Sequence, residues 1–234
     1  MFTSDFPIFY VTVDVVLFAV REGRLEVLVV RRGEAPHEGR WALPGGFVGD
    51  DEELLAAARR ELVEETGIAG EGLALEQLKT FGAPDRDRRP HRVVSVAYLA
   101  VTPNAELPTA GSDAREAEWR PVDDVTGHLA FDHDEILAEA RARVASKLEY
   151  TRLAAAFLPP TFTIAQLRGV YEAVWGLAID PGNFQRKLRA ATDFLASTGE
   201  SVKPAGGRGR PAEVFRAIGE PFEALAVPVP RSSM

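Results

Sequence analysis

Between Gly45 and Ile68 the chain reads GGFVGDDEELLAAARRELVEETGI, and few folds accommodate what that stretch demands. A glycine turn and an acidic entry lead into a helix that carries three glutamates. Asp50 or Asp51 stands where it can cap the helix N-terminus, and acidic groups there also meet the positive end of the dipole. Gly67 stands where a left-handed residue would stop the helix. On a helical wheel Leu54, Leu55, Ala58 and Leu62 form one apolar stripe. Glu61 and Glu65 are four apart with Glu64 between them, so all three project from neighbouring positions, and Glu65 points close to the stripe. Burying the edge of such a cluster is costly unless a cation neutralises it. The pattern therefore predicts a hard divalent cation held through oxygen ligands.

These residues resemble the box of the Nudix hydrolase family: Gly, five residues, Glu, seven residues, then Arg-Glu-U-x-Glu-Glu-x-Gly-U, with U a bulky aliphatic. Here the positions are Gly46, Glu52, Arg60, Glu61, Leu62, Glu64, Glu65, Gly67 and Ile68, with none missing. The plain alternative is a solvated amphipathic helix rich in Glu and Arg. The resemblance implies an α/β/α sandwich with a mixed sheet. It also implies attack by water on a nucleoside diphosphate linked to another group, with Mg²⁺ or Mn²⁺ to neutralise charge and lower the pKa of bound water. It further implies Glu61, Glu64 and Glu65 as metal ligands, one of them helping to deprotonate water. Arg60 would orient a glutamate by a charge-assisted hydrogen bond. Glu52 would support the metals or the turn, and Gly46 would let backbone approach the phosphates.

Outside the box the residues say less. Arg31, Arg32 and Arg40 flank strand ends near it and are candidates for phosphate or ribose. Trp41 is a base-stacking candidate, although packing in the core is the more ordinary role. Arg86, Arg88, Arg89 and Arg92 lie on a charged loop, Pro84 to Arg92, of the kind that closes over a substrate; exposed arginines on a solvated loop are the commoner case. Phe131-Asp132-His133 reads as a helix cap or packing contact, with His133 as general base the lesser reading.

Apolar segments at 10–20, 25–31, 73–82, 93–101 and 116–121 read as strands, and 134–148 reads as a helix. Strands with few helices indicate a mixed sheet covered by helices. The absence of cysteine excludes disulfides, thiolate catalysis and Cys-ligated metal. The apolar run from Val11 to Val20 is interrupted by Asp14 and too short to span a bilayer, and no signal peptide is visible. A cytoplasmic protein with no membrane role is expected.

At Leu158-Pro159-Pro160 no helix can continue. The expected division is a first domain over 1–150, a second over 151–220 and a loose tail over 221–234. Thr163 with Gln166 is a capping-box pattern that opens a helix to Trp175, closed by Gly176. Asp180-Pro181 opens a second helix, with Phe184, Leu188 and Ala191 facing inward. A hairpin follows, with a tip from Pro204 to Pro211. Charge shifts with the boundary: residues 1–150 carry 17 Lys+Arg against 28 Asp+Glu, and residues 151–217 carry 9 against 5. Two helices and a hairpin with a basic, glycine-rich tip are the plan of a winged helix-turn-helix, and the positive charge favours double-stranded DNA over a structural cap. Asn183, Arg186, Lys187, Arg189, Arg208 and Arg210 are the candidate DNA contacts.

A Nudix domain joined to a basic winged helix resembles the NrtR-type transcriptional regulators of NAD metabolism. Gly39-Arg40-Trp41-Ala42-Leu43-Pro44-Gly45-Gly46-Phe47-Val48, Phe131-Asp132-His133, Lys147-Leu148-Glu149-Tyr150 and Gly209-Arg210-Pro211-Ala212 carry the match. That resemblance implies a repressor of NAD-biosynthesis or salvage genes that senses ADP-ribose or a relative, and a homodimer is expected because one short reading helix covers only a few base pairs. Gly46, Arg40, Arg86 and Arg92 are the candidate nucleotide-binding residues. Two other readings stay open: a Nudix pyrophosphatase with a structural C-terminal domain, and a regulator that senses a different ligand.

Overall fold

β-Branched residues at the start of the chain build two long strands, β1 (Phe9–Arg21) and β2 (Arg24–Arg32). The structure, a computed structural model, describes residues 6–70, 72–87, 89–103, 108, 114–203 and 211–231. Val13 to Ala19 are buried without alternation, the mark of a strand covered on both faces. The remaining elements of the first half are β3 (Trp41–Ala42), β4 (Gly45–Phe47), α1 (Leu54–Thr66), β5 (Glu76–Phe81), β6 (Arg92–Val101), β7 (Ala114–Pro121), α2 (Val122–Val125) and α3 (His133–Tyr150). The sheet runs β3-β2-β1-β6-β5, with β4 on β1 and β7 on β2. β1 and β6 are parallel, whereas β4, β5 and β7 pair antiparallel, so the sheet is mixed as expected.

β3 pairs with β2 and β4 pairs with β1, so the strip Trp41–Phe47 crosses from one strand to the next. Pro44 accepts from the Val15 amide at 2.8 Å on the way. A side chain at Gly45 would collide with the Val13 carbonyl and with Asp14, so only glycine lets the strip lie this close to β1.

Two expectations for α1 are corrected. Its N-cap is Glu53, with no side-chain cap, because the turn at Asp50 and Asp51 ends before the helix begins. Its buried residues are Ala57, Ala58, Leu62 and Thr66, whereas Leu54 is half-buried and Leu55 is exposed. Small alanines bring the helix close to β4 and β7 and leave Leu54 and Leu55 at its outer edge. Gly67 does close it, at φ 68°.

The chain forms two compact units, one drawn mainly from residues up to Ala140 and the other from Arg141 onward with Ala19–Leu25. In the second, a 3-10 turn (Arg152–Phe157) precedes β8 (Phe162–Thr163), α4 (Ile164–Trp175), α5 (Pro181–Ala190), β9 (Leu195–Val202) and β10 (Ala212–Ala217). Thr163 and Gln166 form both bonds of the capping box, and Asp180 caps α5 through the Asn183 amide. Tyr171 is the centre of this core, edge-on to Trp175 and Phe184 at 4.8 and 5.2 Å. The three strands pair in the order β8-β10-β9, giving the winged helix-turn-helix plan. β9 runs through Ser197, Thr198 and Gly199.

Residues 221–231 of the segment expected to be a loose tail are packed down. Leu225 and Val229 are buried, and their amides donate to the carbonyls of Tyr150 and Glu149. Arg231 donates to the Trp175 carbonyl at 2.8 Å. Prolines mark the segment as irregular, but its apolar side chains find a surface that the pattern alone does not show.

Candidate functional site

One turn of α1 and the crossing strip face each other over a cleft of about 490 Å³. Arg60 is the hub on the helix side. Its Nε and Nη2 grip the two Glu52 oxygens at 2.7 and 2.8 Å, and Nη1 reaches Glu61 at 2.7 Å and Glu64 at 3.0 Å. The Arg60 hydrogen bonds hold the Glu52 carboxyl down at about 2. Glu52 is absent from the cleft wall, so its observed contact is with Arg60 and the Gly49 amide. Gly46 has no side chain to obstruct Glu61; a Cβ there would meet that carboxylate.

Glu65 accepts from the Gly45 amide at 2.9 Å. Burial pushes its carboxyl up to about 8 against that bond, and the negative charges of Glu61 and Asp14 add to the rise. Burial also raises Glu61, opposed by Arg60. Glu64 is exposed. Among the described residues no three acidic or imidazole side chains meet as a finished cage for a cation. The donor type nevertheless fits a hard divalent cation, since the wall offers carboxylate oxygens in a field that a positive charge would relieve.

The back wall holds a buried polar group. Asp14 accepts from the Ser95 hydroxyl and lies 3.5 Å from Arg86 Nη2 and 3.4 Å from His133 Nε2. Arg86 is clamped bidentately by Asp132 at 2.7 and 2.8 Å. His133 Nδ1 accepts from the Leu43 amide at 2.9 Å, which leaves the proton on Nε2, facing Asp14. Burial holds the imidazole below its ordinary pKa. With both nitrogens engaged, His133 is a poor candidate for general base and a good one for fixing the strip.

On the opposite side Arg32 lies over the Phe131 ring at 4.8 Å and donates to the Pro36 carbonyl at 2.8 Å. Phe131 sits at φ 52°, an uncommon conformation for an aromatic residue, and lines the cleft. Arg31, Arg32, Arg86 and Arg89 also line it, whereas Arg40, Trp41 and Arg92 do not. Arg40 is exposed; Trp41 is half-buried between Arg31 and Arg120; Arg92 donates to the Gly82 carbonyl at 2.6 Å. Arg88 lies outside the described residues. Asp14, Asp87 and Phe131 line the cleft without a site role legible in the sequence. An aspartate inside an apolar strand is the one signal there.

In the second unit α5 buries Phe184 and Leu188 and turns Arg186 and Arg189 to solvent, with Asn183 and Lys187 half-buried. Arg186 donates to the Asn183 side-chain oxygen, pairing two candidate DNA contacts on one helix face. Lys187 and Arg189 stand in the last turn, where they also suit the helix dipole. Arg208 and Arg210 lie outside the described residues.

A Nudix domain followed by a winged-helix DNA-binding domain is thus the class of protein that fold and sites define. The NUDIX domain model matches residues 9–141, and the NrtR DNA-binding winged helix domain model matches residues 154–217. The chain belongs to the NrtR family. It is 35% identical over 216 residues to the ADPR responsive transcriptional repressor NtrR of Acinetobacter baylyi, covering 91% of this chain and 84% of the relative. The crystal structure of Shewanella oneidensis NrtR complexed with a 27mer DNA matches with a TM-score of 0.77 and 32% identity, over 94% of this chain and 99% of that one. The NUDIX domain of the same S. oneidensis protein, complexed with ADP ribose, matches with a TM-score of 0.55 and 36% identity, over 59% of this chain and 90% of that one. Among the described residues no helix is long and apolar enough to cross a membrane.

Proposed function

We propose that this protein is a cytoplasmic, DNA-binding repressor of NAD-metabolism genes that binds ADP-ribose in its Nudix cleft and releases its operator in response. The observation that carries this reading is a complete Nudix box, with its Gly46, Arg60, Glu61, Glu64 and Glu65 lining one cleft, in the same chain as a winged helix with a basic second helix. The DNA- and ADP-ribose-bound relatives support it. We assign residues 1–150 to the ligand domain, 151–220 to the DNA-binding domain and 221–234 to a tail. The second helix would read the major groove through Asn183 and Arg186, with Lys187, Arg189, Arg208 and Arg210 on phosphates. A homodimer would present two such helices to a two-fold operator; light scattering that reports a monomer with and without DNA would reject it.

Nudix hydrolases work with divalent metal ions, and Glu61, Glu64 and Glu65 would hold Mg²⁺ or Mn²⁺ here. The ion would supply charge neutralisation for the diphosphate and a more acidic bound water. Arg60, itself fixed by Glu52, keeps Glu61 and Glu64 turned toward the cleft. Gly46, Arg86 and the more remote Arg40 and Arg92 are retained as nucleotide-binding candidates.

Ligand and DNA are coupled reciprocally: if ADP-ribose weakens DNA binding, DNA weakens ADP-ribose binding by the same factor, about 5- to 150-fold for a typical coupling. A gel shift with the DNA upstream of the protein's own operon tests the proposal. ADP-ribose should release the DNA; equal retention with and without saturating ligand would reject it. A second reading, hydrolysis of ADP-ribose to AMP and ribose 5-phosphate, is favoured by the intact box. Release of no AMP across a panel of nucleoside diphosphates would leave the cleft a sensor only.

A further inference from the structure

Asp87 lies on the cleft wall and is 8% exposed. Its Oδ2 is 3.0 Å from Arg89 Nε, while its Oδ1 is buried and accepts no hydrogen bond from any described residue. Arg89 Nε is in the same condition, since the ion pair is out of line for a hydrogen bond. Buried carboxylate oxygens in folded proteins are nearly always satisfied, so an orphan on a cleft wall points to a ligand that satisfies it.

Resting on the reading of the cleft as an ADP-ribose site, we propose that Asp87 Oδ1 accepts a hydrogen bond from a ribose hydroxyl of the ligand, with Arg89 holding the carboxylate in place. A carboxylate repels phosphate and needs a donor, and a sugar hydroxyl supplies one. Position selects the sugar over the base. Asp87 lines the same cleft as Glu61, Glu64 and Glu65, the acidic wall where the diphosphate belongs. The groups bonded directly to the diphosphate of ADP-ribose are its two riboses; the base is one sugar further out. Arg89 in turn lies over the Phe47 ring at 5.0 Å, which ties the pair to β4 beside Gly46.

Calorimetry on the full chain tests this, without divalent ions so that ligand is not consumed. ADP-ribose is compared with analogues that lack the 2- or 3-hydroxyl of the adenosine ribose or of the terminal ribose, with Asp87 present and with Asp87→Asn. Loss of a hydrogen bond to a charged acceptor should weaken ADP-ribose about tenfold or more. One analogue should already be weakened to that degree and be insensitive to Asp87→Asn; its missing hydroxyl identifies the ribose. An equal fold-loss for every ligand means that Asp87 only supports the loop, and no loss at all means that it contacts nothing; either overturns the inference alone. If the Asp87 protein binds no ADP-ribose, the functional reading falls and this inference falls with it.

Discussion

Gly45 donates its amide to Glu65 Oε2 at 2.9 Å, joining the crossing strip to the buried end of the acidic wall. The same glycine has backbone of β1 where its Cβ would be. Gly45→Ala should therefore push the strip off β1 and cost about 1–3 kcal/mol. Thermal unfolding checks it, and a midpoint unchanged from wild type would show that the strip has room to move.

The proton on Glu65 makes stability fall with rising pH. Its carboxyl titrates near 8 when folded and near its ordinary 4.5 when unfolded. Between those values the folded protein binds more protons, so stability is lost as pH rises through the window and levels off above 8. Urea unfolding at pH 5, 7 and 9 without divalent ions should show the decline. Glu65→Gln should flatten it, and an identical slope in that variant would assign the effect elsewhere.

Glu64 is exposed and accepts a hydrogen bond from Arg60, so Glu64→Gln should leave the fold intact while removing a charged oxygen ligand. AMP release should be lost. If binding rather than hydrolysis carries the signal, ADP-ribose should still release DNA from this variant, and for longer, because the ligand persists. Operator affinity that is indifferent to ADP-ribose, with ligand binding confirmed, would contradict it.

Lys187 and Arg189 are the proposed phosphate contacts that lie among the described residues. Neutralising one of them should reduce the slope of log affinity against log salt by about 0.9. Fluorescence anisotropy across a salt series measures it. Unchanged affinity and slope in Lys187→Ala would move the DNA face away from this helix.

Arg152 is 6% exposed and donates to Asp193 at 2.8 Å and to the Ala224 carbonyl at 2.6 Å. Arg152→Ala leaves Asp193 without its charge partner, a loss on the order of 3 kcal/mol for a mostly buried pair. Denaturation of the full chain should show the winged unit unfolding earlier than the Nudix unit. Coincident, unshifted transitions would show the ion pair to be dispensable.

The sequence discloses what depends on local spacing. The box, the Gly67 stop, the capping box at Thr163 and the Asp180-Pro181 start are each set within a few residues. Contacts between distant segments stay hidden. Nothing near Arg86 announces Asp132, and nothing near Asp87 shows that a charged loop is buried on a cleft wall. The α1 cap is hidden for a related reason: Glu52 is committed to Arg60 and Gly49, so the turn ends before the helix begins and leaves Asp50 and Asp51 behind.

His133 receives the Leu43 amide and Glu65 receives the Gly45 amide, so two walls of one cleft are fastened to the same peptide two residues apart. That peptide behaves as a ruler: it fixes the spacing between the imidazole and the carboxylate and allows neither to drift alone. An insertion or deletion of one residue at Pro44 would break one fastening whichever way the loop adjusted, whereas substitutions on either wall leave the length standard untouched. Ligand range in this scaffold is therefore free to vary by side chain but not by loop length.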